Sequence, residues 1–193
     1  RKQVTNLSPS EIQSLMIYNP EFVISPIYNE TSTLDNQVFL GSKAYFLKKL
    51  SLNGFPIPPG FVITTEIFRR INSILKVPSL NAEIDEMILQ QIGELEKMSG
   101  LKFGNPDKPL LLSVRSGAAI SMPGAMNTFL NVGLNDEITE SLSKRENFAW
   151  TSWDCYRRLL QTWGMSHGLE RNQFDQIINN YKKKHKVIQK LEF

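Results

Sequence analysis

Two cations in this sequence stand where an anion could bind. Lys43 follows Gly41 and Ser42, at the point where a short strand over Gln37–Leu40 is predicted to end and a helix to begin. A helix N-terminus presents free N–H groups and the positive end of its dipole, which favours an anion. On this motif alone, the alternative is an ordinary helix start with a solvated lysine.

Arg115 follows the most strand-like run in the chain, Leu110–Val114, which is apolar enough to predict a strand buried on both faces. In an open α/β sheet, ligands bind outside the carboxyl ends of the strands. The planar guanidinium suits pairs of phosphate oxygens. The alternative is that Arg115 pairs with a nearby carboxylate.

A third segment, Ser121–Met126, is apolar but interrupted by Pro123 and Gly124, so it is predicted to be irregular. Its two methionines could cover an aromatic ring such as adenine, because Met fills irregular apolar gaps. The alternative is a loop packed into the core.

Other chemistries find less support. His167 and His185 are far apart and no Cys or His partner has metal-ligand spacing, so no metal site is predicted. Cys155 is expected to be a buried structural thiol, because it lies within the Trp153–Tyr156 segment. The basic run Lys182–Lys186 reads as a solvated helix end. It carries no interleaved aromatic residues, so nucleic-acid binding is only a minor alternative.

The composition indicates a globular protein. The chain has 193 residues, 41% hydrophobic and 21% charged, with a net charge of +3. No apolar run approaches the ~20 residues of a membrane helix, and the N-terminus lacks the apolar region of a secretory signal. A single cysteine favours a reducing, cytoplasmic location. Because the first residue is not Met, we expect a piece of a longer protein.

The elements that must position these residues change character along the chain. Strands and helices mix up to about residue 136, whereas the sequence from Glu137 onward has helical periodicity. This pattern predicts an α+β fold with a helical C-terminal part. We divide the chain into a lead (1–36), a mixed part (37–136) and a helical subdomain (137–193). The remaining expected elements are a helix after Ser8, strands over Phe61–Thr64 and Thr128–Val132, helices from Thr65 to Leu75 and from Asn81 to Met98, and an aromatic core stripe of Trp153, Tyr156, Leu160 and Trp163.

The joint order of these segments resembles the nucleotide-binding domain of the pyruvate phosphate dikinase and phosphoenolpyruvate synthase family, in its dikinase branch. The resemblance covers roughly residues 38–185. It departs from the branch at Ala125, where methionine is usual, and at Asn127, where aspartate is usual. The segments that carry it are Gly41–Ala44, Gly54–Thr65, Phe103–Pro106, Leu111–Gly124, Asn131–Asp136 and Trp153–Arg158.

This resemblance implies a partial ATP-grasp-like fold that binds ATP with Mg²⁺. It implies phosphate contacts from Lys43 and from Arg115, the latter catalytic, with Arg158 nearby and Gly124 in a loop at the same site. It also implies that the magnesium ligands lie outside this chain. In the complete enzyme, phosphoryl groups pass from ATP to a histidine on one separate domain and then to pyruvate on another.

We therefore expect an N-terminal portion of a cytoplasmic dikinase-like phosphotransferase, inactive alone, whose parent is compatible with a homodimer. Its expected partners are ATP and the phosphohistidine and pyruvate domains of that parent, with neither nucleic acid nor membrane. The alternative is a non-catalytic nucleotide-binding or regulatory module that keeps the fold. Lys43 and Arg115 are expected to converge on one cleft, open on one side, which binds free nucleotide weakly or not at all.

Overall fold

A computed structural model describes residues 8, 10, 23–28, 31, 34–117 and 128–187. The described chain is mixed, mostly helical with two small antiparallel sheets, as an α+β prediction requires. No helix in these ranges is both long and apolar enough to cross a membrane. The elements are β1 (Ile24–Pro26), α1 (Gln37–Leu52), β2 (Phe61–Ile63), α2 (Thr65–Ile74), α3 (Pro78–Ser99), β3 (Leu112–Arg115), β4 (Thr128–Val132), α4 (Asp136–Ser143), α5 (Ala149–Ser166) and α6 (Arg171–His185).

The chain divides into two compact units. The first contains the described residues up to 98 together with Gly117, and the second contains 99–116 and 128–187. The divisions expected at residues 36 and 136 remain predictions about domain organisation.

In its described part, the first unit packs the helices α1, α2 and α3 with one short strand pair. β1 pairs antiparallel with β2, with Ser25 opposite Val62. The helices α2 and α3 direct apolar side chains at helical spacing toward a common core. That core consists of Val23, Ile67, Ile74 and Ile84, with Ile24, Ile71, Met87 and Ile88 packed against it.

The strand expected over Gln37–Leu40 is wrong, since these residues form the first turn of α1. Asn36 explains the difference, because its side-chain Oδ1 accepts hydrogen bonds from the N–H groups of Val38 (2.9 Å) and Phe39 (3.1 Å). Such a cap satisfies N–H groups that a helix start otherwise leaves open. Local capping therefore overrides the alternating apolar pattern.

The second unit joins the β3–β4 pair to three helices. Its core consists of Leu134, Ile138 and Leu142, with Leu111, Cys155, Tyr156 and Leu159 packed against it. Asn135 caps α4 by accepting a hydrogen bond from the Ile138 N–H at 2.8 Å. Cys155 is half-buried rather than fully buried. The helical C-terminal part is thus confirmed as three helices.

Two expectations about burial in the second unit are wrong. Strand β3 is not buried on both faces, because Val114 is 50% exposed and, among the described residues, β3 pairs only with β4. The stripe expected to form the core is largely exposed, with Trp153 and Trp163 at 45% and 56%. Among the described residues, only part of each aromatic ring is covered, as where Trp163 meets Phe129 edge to face.

Candidate functional site

Lys43 lies just after a break in α1. Gly41 has φ +75° and ψ 160°, a conformation that side-chain-bearing residues rarely adopt, and regular helix resumes after it. Lys43 therefore falls in the first turn of the resumed segment, as the sequence predicted. Its side chain is exposed, and within the described ranges no carboxylate lies in ion-pair distance of its ammonium group.

Gly117 approaches this break within the first unit. A Cβ on Gly41 would lie 3.9 Å from the Gly117 Cα, and a Cβ on Gly117 would lie 3.9 Å from the Leu40 carbonyl oxygen. Two glycine backbones thus meet beside the start of the resumed helix. Gly117 is also the second residue after Arg115 along the chain.

Arg115 is the last residue of β3 and is exposed, as predicted. Its Nε donates a hydrogen bond to Ser113 Oγ at 3.3 Å. For the part of the chain that the structure describes, the two terminal guanidinium nitrogens have no protein partner and no carboxylate pairs with them. The alternative of a local ion pair therefore gains no support from these residues.

Arg115 does not lie at the carboxyl edge of an open α/β sheet, where the strand pattern had predicted a ligand site. Its strand, β3, belongs to an antiparallel pair. Arg115 lies opposite Thr128, and Val114 lies opposite Phe129. Phe129 contacts Trp163 of α5, with ring centroids 5.5 Å apart. Since side chains alternate along a strand, Arg115 and Thr128 occupy the face of the pair that points away from α5.

Arg158 shares a carboxylate with its neighbour. Asp154 Oδ2 accepts from Arg158 Nε at 2.6 Å, and Asp154 Oδ1 accepts from Arg157 Nη2 at 2.6 Å. Burial raises the pKa of Asp154, but hydrogen bonds and charge from both arginines outweigh it and hold that pKa below its ordinary value. The Arg158 side chain is 64% exposed, so the rest of its guanidinium faces solvent.

Gly124 and the methionine-containing loop around it lie outside the described residues, as do Ala125 and Asn127. Lys43 belongs to the first unit, whereas Arg115 and Arg158 belong to the second. Their convergence on one cleft accordingly stays a prediction.

Sequence reasoning missed two buried charged groups in the first unit. Lys48 Nζ lies 2.6 Å from Asp35 Oδ1 and donates to Ser25 Oγ at 3.5 Å. These residues are too far apart in sequence for any spacing rule to pair them. Glu66 is 1% exposed and accepts from Arg69 and Arg70. That second cluster was detectable, because charges three and four residues apart share one face of a helix.

The described residues do not provide a set of side chains suited to bind magnesium. Among the described residues, no three His, Cys, Asp or Glu side chains gather closely enough to hold a metal. The exposed cations Lys43, Arg115 and Arg158 can instead bind anionic oxygens, and Arg115 is the best suited because its guanidinium offers two adjacent nitrogens.

Known proteins resemble this chain closely in sequence. No family model matches it. The pyruvate, phosphate dikinase of Clostridium symbiosum is 39% identical over 144 residues, which cover 74% of this chain and 16% of that protein. The chloroplastic pyruvate, phosphate dikinases of Mesembryanthemum crystallinum and Flaveria pringlei are 37% and 33% identical, over 83% and 94% of this chain. The chain spans about a sixth to a fifth of the length of these curated relatives. It belongs to the pyruvate, phosphate dikinase family.

Proposed function

We propose that this chain carries part of the ATP-binding site of a pyruvate, phosphate dikinase-like phosphotransferase with an ATP-grasp-like nucleotide domain. In this proposal Lys43 and Arg115 hold the phosphates of ATP, Arg158 lies near them, and Gly124 belongs to a loop at the same site. The complete protein passes a phosphoryl group to a histidine on a separate domain and then to pyruvate. We place it in the cytoplasm, with a homodimer as one assembly.

The observation that carries this proposal is the exposure of Arg115 and the availability of its terminal guanidinium nitrogens. Its exposed guanidinium donates only through Nε to Ser113 and keeps both terminal nitrogens available among the described residues. A structural arginine at a strand end ordinarily pairs with a carboxylate or covers apolar surface. A guanidinium whose terminal nitrogens have no partner among the described residues, in a chain 39% identical to a pyruvate, phosphate dikinase, supports a phosphate ligand.

The break at Gly41 gives independent support for Lys43. Because the helix resumes after Gly41, the N–H groups of a new first turn and the Lys43 ammonium lie at the same end of that segment. Because Gly41 and Gly117 both lack a side chain, the backbone at Gly117 can lie close to this turn. Both features suit a bound polyphosphate.

The chemistry required of these residues is positioning and charge compensation. Phosphoryl transfer needs little covalent assistance and much fixed positive charge around the transferred group. Arg115 can grip two oxygens at once, whereas Lys43 supplies a mobile point charge. Magnesium would neutralise further phosphate charge when bound. The described residues do not fit a magnesium site, so we assign no ligand to it.

The second candidate function is a non-catalytic nucleotide-binding or regulatory module. It is favoured by the two departures from the dikinase branch, Ala125 where methionine is usual and Asn127 where aspartate is usual. The two candidates share ATP binding and differ in turnover.

Titration of the 193-residue chain with MgATP, followed by ¹H–¹⁵N NMR, tests the shared claim. We expect saturable shifts with a dissociation constant in the millimolar range, about −4 kcal/mol. Arg115→Ala should weaken binding at least about tenfold. Arg171→Ala, at an exposed arginine starting α6, should bind normally. Normal binding by Arg115→Ala would contradict the proposal. Measurable ATP-dependent phosphate release by the chain would contradict its inactivity when alone.

A further inference from the structure

The open face of the β3–β4 pair carries two hydroxyl side chains beside Arg115. Ser113 and Arg115 are two residues apart on β3, and Thr128 of β4 lies directly opposite Arg115. All three are exposed. Directly opposite residues of an antiparallel pair have Cβ atoms about 4.5–5.5 Å apart, so the Thr128 side chain begins beside that of Arg115. Ser113 Oγ accepts a hydrogen bond from Arg115 Nε.

We infer that Ser113, Arg115 and Thr128 act together as one phosphate-binding row, in which Ser113 positions the guanidinium and Thr128 donates to the anion directly. This inference rests on the proposed function, since it names two further residues at the same ATP site. Neither hydroxyl belongs to the set of residues that sequence analysis singled out.

The hydrogen bond from Arg115 Nε to Ser113 Oγ sets the direction of the guanidinium. With Nε engaged, the edge bearing the two terminal nitrogens turns outward, which is the edge that grips two oxygens. Ser113 accepts this bond through its oxygen, so its own hydroxyl proton stays available to donate. A positioned arginine loses less side-chain freedom when the ligand binds.

The strand pairing changes register at Ser113. Leu112 lies opposite Val132 and Val114 opposite Phe129, so two residues of β4, Leu130 and Asn131, face the single residue Ser113. Asn131 has φ +59°, as expected of an extra residue in a bulge. Such bulges increase local twist and redirect side chains. The Ser113–Arg115 end of the pair is therefore expected to be more strongly twisted than a regular strand.

The row can present a hydrogen-bond donor at each of its three positions. Guanidinium nitrogens cannot accept a hydrogen bond, and each hydroxyl can turn its proton outward. No carboxylate pairs with Arg115 among the described residues. A terminal phosphate group, with several anionic oxygens in a compact tetrahedron, matches this arrangement better than a single carboxylate does.

Three variants of the 193-residue chain test the row. Ser113→Ala and Thr128→Val each remove one hydroxyl, and Ser113→Thr restores a hydroxyl at position 113. Ser143→Ala is the control, because Ser143 is a half-buried serine of α4 that donates to the Glu140 carbonyl. Each variant is titrated with MgATP and, separately, with adenosine. We expect Ser113→Ala and Thr128→Val to weaken ATP binding about three- to tenfold, the loss of one hydrogen bond, with adenosine binding unchanged.

The Arg115 side-chain Nε–H resonance reports the positioning directly. We expect its solvent exchange to accelerate in Ser113→Ala, to stay slow in Ser113→Thr and to be unaffected in Thr128→Val. Unchanged ATP affinity in both Ser113→Ala and Thr128→Val, while Arg115→Ala loses binding, would overturn the row and leave the proposed function standing. Unchanged binding in Arg115→Ala would overturn the proposed function itself. Equal losses of ATP and adenosine binding would show a structural effect and contradict the row.

Discussion

The backbones of Gly41 and Gly117 meet, so that a Cβ on Gly41 would lie 3.9 Å from the Cα of Gly117. The distance itself leaves room for a methyl group. The conformation does not, because Gly41 has φ +75° and ψ 160°. Gly41 is therefore needed for its backbone geometry rather than for its small size, and that geometry sets where the helix carrying Lys43 resumes.

Gly41→Ala should destabilise the chain by about 1–3 kcal/mol, the cost of holding a side-chain-bearing residue in a sparsely populated conformation. The urea midpoint of unfolding measures this change. Gly93→Ala is the matched control, because Gly93 lies inside α3 with no positive φ and no atom within 4 Å of its Cβ position. That control should gain up to about 1 kcal/mol from helix propensity. Equal effects at both positions would contradict the assignment of strain.

Gly164 marks close packing between α5 and α6. A Cβ at Gly164 would lie 2.7 Å from Phe174 Cζ and 3.0 Å from Leu169 Cδ1. We expect Gly164→Ala to destabilise the native chain by about 1–2 kcal/mol through overpacking. In a Phe174→Ala background the same change should become neutral or stabilising. A double-mutant cycle measured by thermal unfolding checks this sign reversal, and additive effects would refute the contact.

Asp154 should link stability to pH. The carboxyl pKa is lower in the folded chain than in the unfolded chain, so its stabilisation is complete above the ordinary carboxyl pKa and disappears as pH falls through the lowered value. Asp154→Asn should cost about 1 kcal/mol at pH 7, the sum of two ion pairs along a helix. This loss should vanish in strong acid. Glu140→Gln removes an exposed ion pair with Lys144, with 3.7 Å between Nζ and Oε1, and should change stability little at any pH. A pH-independent loss in Asp154→Asn would contradict the linkage.

Lys48→Met should destabilise the first unit by about 2 kcal/mol, because it leaves the half-buried Asp35 carboxylate without its cation. Removing one member of a fully buried pair costs about 3–5 kcal/mol, and the 17% exposure of Asp35 reduces that cost. The neighbouring exposed Lys49 provides the control, since Lys49→Met should change the free energy of unfolding by less than about 0.5 kcal/mol. Similar urea midpoints for both variants would contradict a structural role for the ion pair.

Residue types and periodicity predicted the described helices and three of the four described strands, all except β1. The apolar stripe of α3 and the aromatic positions of α5 repeat every three to four residues, and both segments are helical. Helix α3 begins at Pro78 rather than at the predicted Asn81, because proline is well placed in a first helical turn. The expected strand at Gln37–Leu40 is wrong because the side chain of the preceding residue, Asn36, caps a helix that starts there.

Burial was harder to predict than secondary structure. An apolar run such as Leu110–Val114 indicates that a strand is suited to burial, but the pairing partners decide whether it is covered. The same holds for Trp153 and Trp163, whose spacing indicates one helix face without showing what contacts it. For the proposed site, residue types singled out Lys43 and Arg115 as candidates. The hydroxyls of Ser113 and Thr128 required the strand register, which no spacing rule supplies.

The measurement that tests the central claim most directly is a double-mutant cycle of Lys43→Ala and Arg115→Ala on MgATP binding, followed by NMR titration of the 193-residue chain. If both side chains hold one polyphosphate, each single variant should weaken ATP binding at least about tenfold, the cost of one charge-assisted contact, and the double variant should lose less than the sum. Lys49→Ala should bind normally. Strictly additive losses, or a loss in only one of the single variants, would contradict a shared phosphate site.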